Sequence, residues 1–91
     1  MDLLTKKVKI SDRTLAQDVG GEFVILHLDT EHYYGLDEVG ARLWQLLEAH
    51  EDLREISARL QQEYDVLPEA LEADIRRILT EMEQAQLISI S

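Results

Sequence analysis

His27, His32 and His50 are the residues of this sequence best suited to hold a metal or move a proton near neutral pH. A zinc site needs three or four convergent ligands with an ordered second shell, and the spacing of these three matches no compact ligand set. His27 falls inside an apolar run, where a hydrogen-bonded structural histidine is the simpler reading. The chain has no cysteine, which removes disulfides, thiolate nucleophiles and thiolate metal sites by inventory. Adjacent carboxylates occur at Asp37-Glu38 and Glu51-Asp52, with Glu81 and Glu83 two residues apart. Acid–base catalysis would need one member of such a pair in a dry pocket that raises its pKa. The first two pairs instead stand at expected helix starts, where the helix dipole favours negative charge, and the third lies on an expected solvated face. Ser11, Ser57, Ser89 and Ser91 lack a nucleophile-elbow context, and Gly20-Gly21 and Gly35 do not form a phosphate-binding loop. These residues imply no catalytic site, metal or cofactor, so the expectation is a binding protein rather than an enzyme.

Charge narrows the partner. The 91 residues carry a formal charge of −10 at pH 7. Lys6, Lys7, Lys9 and Arg13 lie near the start, so the remainder is more acidic than the whole. Nucleic acid and anionic lipid are bound through clustered Lys and Arg. On the helices, Arg54, Arg59, Arg76 and Arg77 are interleaved with Glu55, Glu63, Glu72, Asp74 and Glu81 and make no basic stripe. The sequence therefore argues against nucleic acid and membrane and for a neutral or basic partner. The stretch MDLLTKKVKI has no apolar signal region, and no run approaches the length of a membrane span, so a cytoplasmic chain is expected.

The elements that must position a binding surface fall into two halves. One domain, residues 1–91, is expected from the length, with 45% hydrophobic residues supplying a modest core. Strands occupy about 7–35. VKIS and TLAQDV alternate weakly, whereas EFVILHLD is rich in β-branched residues, follows the turn dipeptide Gly20-Gly21, and is separated by Asp29-Thr30-Glu31 from His32-Tyr33-Tyr34-Gly35. After Leu36 the period changes to that of helices, expected at about 37–49, 52–64 and 68–86. Asp37 and Asp52 are N-caps, Glu55 completes a capping-box pattern, and Pro68 suits a first helical turn. Trp44 sits on the apolar stripe of the first helix and is read as core. A small sheet followed by three helices is an α+β layout, and it is also that of a winged helix-turn-helix.

From Val24 to Ile88 the sequence resembles the PqqD-like family of precursor-peptide recognition elements, which serve enzymes that modify ribosomally made peptides. The resemblance rests on the aspartate-ended strand LHLD, the junction YYGLDEVGARLW, the YDV before the last helix and the LI after it. Asp37 stands where the family usually has Asn; either can cap a helix. In length and in the aromatic YYGL it is most similar to the stand-alone B1 leader-binding proteins of lasso peptide systems. The resemblance implies three antiparallel strands followed by three helices. It also implies a precursor leader that docks as an added strand on the third strand, beside the last helix, and is handed to a B2-type leader peptidase and a macrocyclase. A peptide chaperone for a radical peptide-modifying enzyme is the alternative client arrangement, and a winged-helix DNA-binding regulator is a third.

On that reading the candidate peptide-binding residues are Glu31, His32, Tyr33, Tyr34 and Gly35 on an exposed edge, with Asp74, Ile75, Ile78, Leu79 and Met82 on the last helix. An edge offers unpaired backbone donors and acceptors to an added strand, while pockets beneath alternate side chains select sequence. Periodicity does not separate core from groove lining among Leu71, Ile75, Ile78, Leu79, Met82 and Ala85. Asp74 and Glu81 could attract a leader cation or belong to a solvated face. One of Tyr33 and Tyr34 must point to the core, and alternation does not say which.

Overall fold

The structure is a computed structural model that describes residues 5–50 and 52–91. Strands β1 (Val8–Ile10), β2 (Thr14–Val19), β3 (Glu22–His27) and β4 (Tyr33–Leu36) precede helices α1 (Glu38–Ala49), α2 (Leu53–Glu63) and α3 (Pro68–Gln84), and β5 (Ile88–Ile90) follows. Strands β2, β3 and β4 form an antiparallel sheet in that order, and β1 pairs with β5 in a separate antiparallel ribbon. The α+β layout of a three-stranded sheet followed by three helices is therefore present. The ribbon is an addition to it.

Local chemistry accounts for the joints. Val19 faces Glu22 across a two-residue turn whose Gly20 and Gly21 have φ of 62° and 88°. Positive φ at both central residues is what a type I′ hairpin requires and what glycine adopts without strain. At α1 the Asp37 side chain accepts from the Gly40 N–H at 2.8 Å, and at α2 Asp52 accepts from the Arg54 N–H at 2.9 Å. Glu55 makes a different contact from the one its capping-box position predicts: it accepts from Arg59 at 3.1 Å and lies 3.6 Å from Nδ1 of His50. Its neighbour Glu51 lies outside the described residues.

Helix α3 ends in a Schellman turn. The Leu87 N–H donates to the Met82 carbonyl at 2.9 Å and the Gln86 N–H to that of Glu83 at 3.0 Å, with Gln86 in the left-handed region at φ 63°. This turn reverses the chain and buries Leu87 and Ile88. It delivers β5 to β1, where Lys7 and Ser91 exchange backbone hydrogen bonds at 2.9 and 3.0 Å.

The core lies between the inner face of the sheet and the three helices. Ile25, Leu43, Ile56, Leu60 and Leu79 are fully buried, and Trp44, read as core from the sequence, is buried with them. A bidentate pair joins α1 to the end of α2, with Arg42 donating to Glu63 at 2.7 and 2.8 Å. These hydrogen bonds hold the Glu63 carboxyl below the ordinary range. Next to it, partial burial pushes the Tyr64 phenol up, and the charges of Glu38 and Glu63 act in the same direction.

Candidate functional site: an open strand edge beside the last helix

Strand β4 is an edge of the sheet. Its register with β3 pairs Leu26 with Tyr33, Ile25 with Tyr34, Val24 with Gly35 and Phe23 with Leu36. In an antiparallel ladder every second pair exchanges both hydrogen bonds. The His27 N–H donates to the His32 carbonyl at 3.0 Å, so the bonded pairs continue as Ile25 with Tyr34 and Phe23 with Leu36. The N–H and C=O groups of Tyr33 and Gly35 consequently point away from β3, toward the open edge.

The same register settles the tyrosines. Tyr34 shares the inner face with Ile25 and is packed against the core, as is Leu36 two residues on. Tyr33 is on the outer face, 66% exposed. The edge runs from Tyr33 to Leu36, one residue later than the 32–35 expected from sequence. Glu31 and His32 belong to the turn that precedes it. The Glu31 N–H is taken by the His27 carbonyl at 2.8 Å, the His32 carbonyl faces β3, and the His32 ring meets Tyr34 edge-on at 6.4 Å.

His27 organises that turn. It is buried, and its Nδ1 accepts from the Asp29 and Thr30 N–H groups at 3.2 and 3.4 Å. Arg13 closes the turn from outside by donating to Asp29 at 2.8 and 3.0 Å, hydrogen bonds that hold the Asp29 carboxyl below the ordinary range.

Between β4 and α3 lies a cleft of about 100 Å³, lined by Tyr34, Gly35, Leu36, Ile78, Glu81, Met82, Ala85 and Leu87. Ile78 and Met82, both candidates from the sequence, form part of its wall. Ile75 and Leu79 are not among the residues that line it; they pack in the core between α3 and the rest of the molecule. Asp74 is exposed on α3 and is not among the residues lining the cleft. Leu36 could have been found from sequence, because it stands two residues from Tyr34 on one strand face. Leu87 could not, since only the turn after α3 brings it there.

Of the larger hollows, two of about 400 and 440 Å³ flank the β1–β5 ribbon, mix Lys9, Glu48, His50, Asp12 and Glu83 with apolar residues, and do not border β4. Another, of about 360 Å³, lies on the outer face of the sheet among Leu26, Leu28, Glu31 and Tyr33. The β4 cleft has apolar walls with one carboxylate, Glu81, which accepts from Arg77 at 3.3 Å. Such a surface can take an apolar side chain under a paired backbone.

An open edge beside an apolar cleft is the kind of surface on which recognition modules take up an added strand. The family described as coenzyme PQQ synthesis protein D, PqqD, matches residues 22–88, and the chain belongs to this family. A solved structure of TbiB1 in complex with the TbiA(beta) leader peptide is 38% identical, with a TM-score of 0.82 over 89% of this chain and 94% of that one. A lasso peptide synthetase B1 complexed with the leader peptide superposes with a TM-score of 0.81 over 90% and 96% of the two chains; at 18% identity it supports the fold alone. No curated protein sequence matches the chain significantly.

Proposed function

We propose that the protein captures the leader of a ribosomally made precursor peptide as a fourth strand on β4 and presents it to a leader peptidase in lasso peptide biosynthesis. The observation that carries the reading is the edge at Tyr33 and Gly35, unpaired among the described residues, beside the apolar cleft. Each backbone hydrogen bond gained there contributes about 0.5–1.5 kcal/mol, while each leader residue ordered costs about 1–2 kcal/mol. Backbone pairing alone roughly balances that cost. An apolar side chain buried in the cleft adds about 1.5–3 kcal/mol and decides the affinity.

Presentation to a second protein is supported by the other face of the sheet. Leu15, Leu26 and Tyr33 stand in one cross-strand row on the outer side, with Leu28 beside them; Leu15 is 46% and Leu28 41% exposed. Contiguous exposed apolar surface of this kind marks a protein contact. A leader strand added to β4 would lie at its border, so a peptidase seated on the row would meet the loaded peptide directly. A radical-enzyme client, as the family resemblance implies for peptide chaperones, is the second reading; the matching family's description as a coenzyme synthesis protein favours a client outside lasso peptide chemistry. The likeness to TbiB1 favours the first.

Titration of the leader encoded by a precursor gene beside this one tests the proposal. The expected affinity is micromolar to nanomolar, about −8 to −12 kcal/mol. Absence of both heat and a Trp44 fluorescence change at high peptide concentration refutes it.

A further inference from the structure

The nine Lys and Arg side chains of the chain divide into two groups. Arg13, Arg42, Arg59, Arg76 and Arg77 each bind a carboxylate, from Asp29, Glu63, Glu55, Glu72 and Glu81 in turn. Lys6, Lys7, Lys9 and Arg54 have no ion-pair partner among the described residues. These four come together in one place.

The β1–β5 ribbon gathers them. Val8 is buried, so strand alternation turns its neighbours Lys7 and Lys9 outward, where both are exposed. Across the ribbon they face Ser91 and Ser89, which carry no side-chain charge. On its other side β1 touches the start of α2: Lys7 bridges to Asp52, which brings Arg54 to Lys6 and Lys7. Thr5, Lys6, Lys7, Asp52 and Arg54 line a hollow of about 340 Å³. Asp52 is the one carboxylate in that lining, and it already accepts from the Arg54 N–H as the cap of α2. Glu55, next to Arg54 in the sequence, is held by Arg59. The hollow keeps an excess of positive charge in a chain that is −10 overall.

We infer that Lys6, Lys7, Lys9 and Arg54 form a docking site for a partner protein that presents an acidic segment. Lys6 to Lys9 span about 10 Å of strand, enough to meet a few carboxylates of one extended segment. Glu48 and Asp12 line the hollows on either side of Lys9. A longer polyanion such as a duplex, with a charge about every 1.7 Å, therefore meets carboxylates as soon as it leaves the patch. The sign of the whole molecule favours a neutral or basic partner, and this patch reverses it locally. None of the four cations lines the cleft beside β4, so the inference stands apart from leader capture.

A hexaglutamate peptide is the probe, titrated at low salt into isotope-labelled protein and followed by NMR. The amide shifts should saturate and be confined to residues 6–9 and 52–55. Salt at about 0.5 M should abolish them, because screening then acts within about 4 Å. Lys7→Glu, Lys9→Glu and Arg54→Glu combined should weaken the peptide at least tenfold, with the melting temperature unchanged and leader affinity within twofold of wild type. Lys7→Gln with Lys9→Gln, which adds no negative charge, should weaken it at least threefold and serves if the reversed protein does not fold. Shifts scattered over other surfaces, or affinity within twofold of wild type in the folded variants, overturn the inference. So does tighter binding at these amides by a short DNA duplex or by phosphatidylglycerol vesicles.

Discussion

Two proline substitutions one residue apart should have opposite consequences, because successive residues of β4 turn their backbone N–H groups to opposite sides. In Tyr33→Pro the donor removed faces the open edge. Proline is tolerated on an edge strand at such a position, so the sheet should form. Leader binding then loses one hydrogen bond, about 0.5–1.5 kcal/mol, or about two- to thirteenfold in Kd. In Tyr34→Pro the donor removed faces Ile25, which is 0% exposed. Its carbonyl is left without a partner at about 1–3 kcal/mol, a large fraction of the about 5–15 kcal/mol that holds a domain together. At about 4–8 °C per kcal/mol for a chain of this size, the melting temperature should fall by at least about 4 °C. Scanning calorimetry reads the stability, and isothermal titration with the leader reads the affinity. Full affinity in Tyr33→Pro, or a Tyr34→Pro protein as stable as wild type, would refute the assigned register and with it the open donors.

Other expectations follow from single residues. Gln86→Gly relieves the left-handed C′ position of α3 and should stabilise by about 0.5–1 kcal/mol after glycine's own entropy cost, read as a raised melting temperature. Glu63 is held below the ordinary carboxylate range by Arg42, so the pair's contribution is complete above that range and is lost as pH falls through the depressed folded value. Wild type should therefore melt above Glu63→Gln at neutral pH, and the two curves should converge in acid. Gly40→Ala should destabilise despite alanine's better helix propensity, because the added Cβ presses on the Asp37 oxygen that caps α1; thermal melts decide it. Leu15→Glu, on the strand farthest from the proposed leader site, should leave leader affinity within twofold and lower the rate of peptidase cleavage, measured with the two proteins reconstituted.

Much of the scaffold was legible because its signals are local. Gly20-Gly21, the two aspartate caps and Pro68 each act within a few residues, and the helix stripes repeat over several turns. Strand β5 was not legible: Ile88-Ser89-Ile90 is too short to show a period, and its partner β1 lies at the other end of the chain. The site was legible in outline only. An aromatic edge strand could be read from the residues, and its place beside the last helix followed from the family resemblance, but the parity of Tyr33 and Tyr34 depends on pairing with β3. The division of α3 into cleft wall and core depends on the angle at which the helix meets the sheet. Periodicity places Ile75, Ile78, Leu79 and Met82 on one stripe, and only packing separates Ile78 and Met82 from the other two.

Amide hydrogen exchange at Tyr33 and Gly35, followed by NMR with and without saturating leader peptide, tests the added-strand claim most directly. Both amides should exchange rapidly in the free protein and become strongly protected in the complex, while Tyr34, already bonded to β3, should change little. A saturated complex in which Tyr33 and Gly35 still exchange as in the free protein would contradict it.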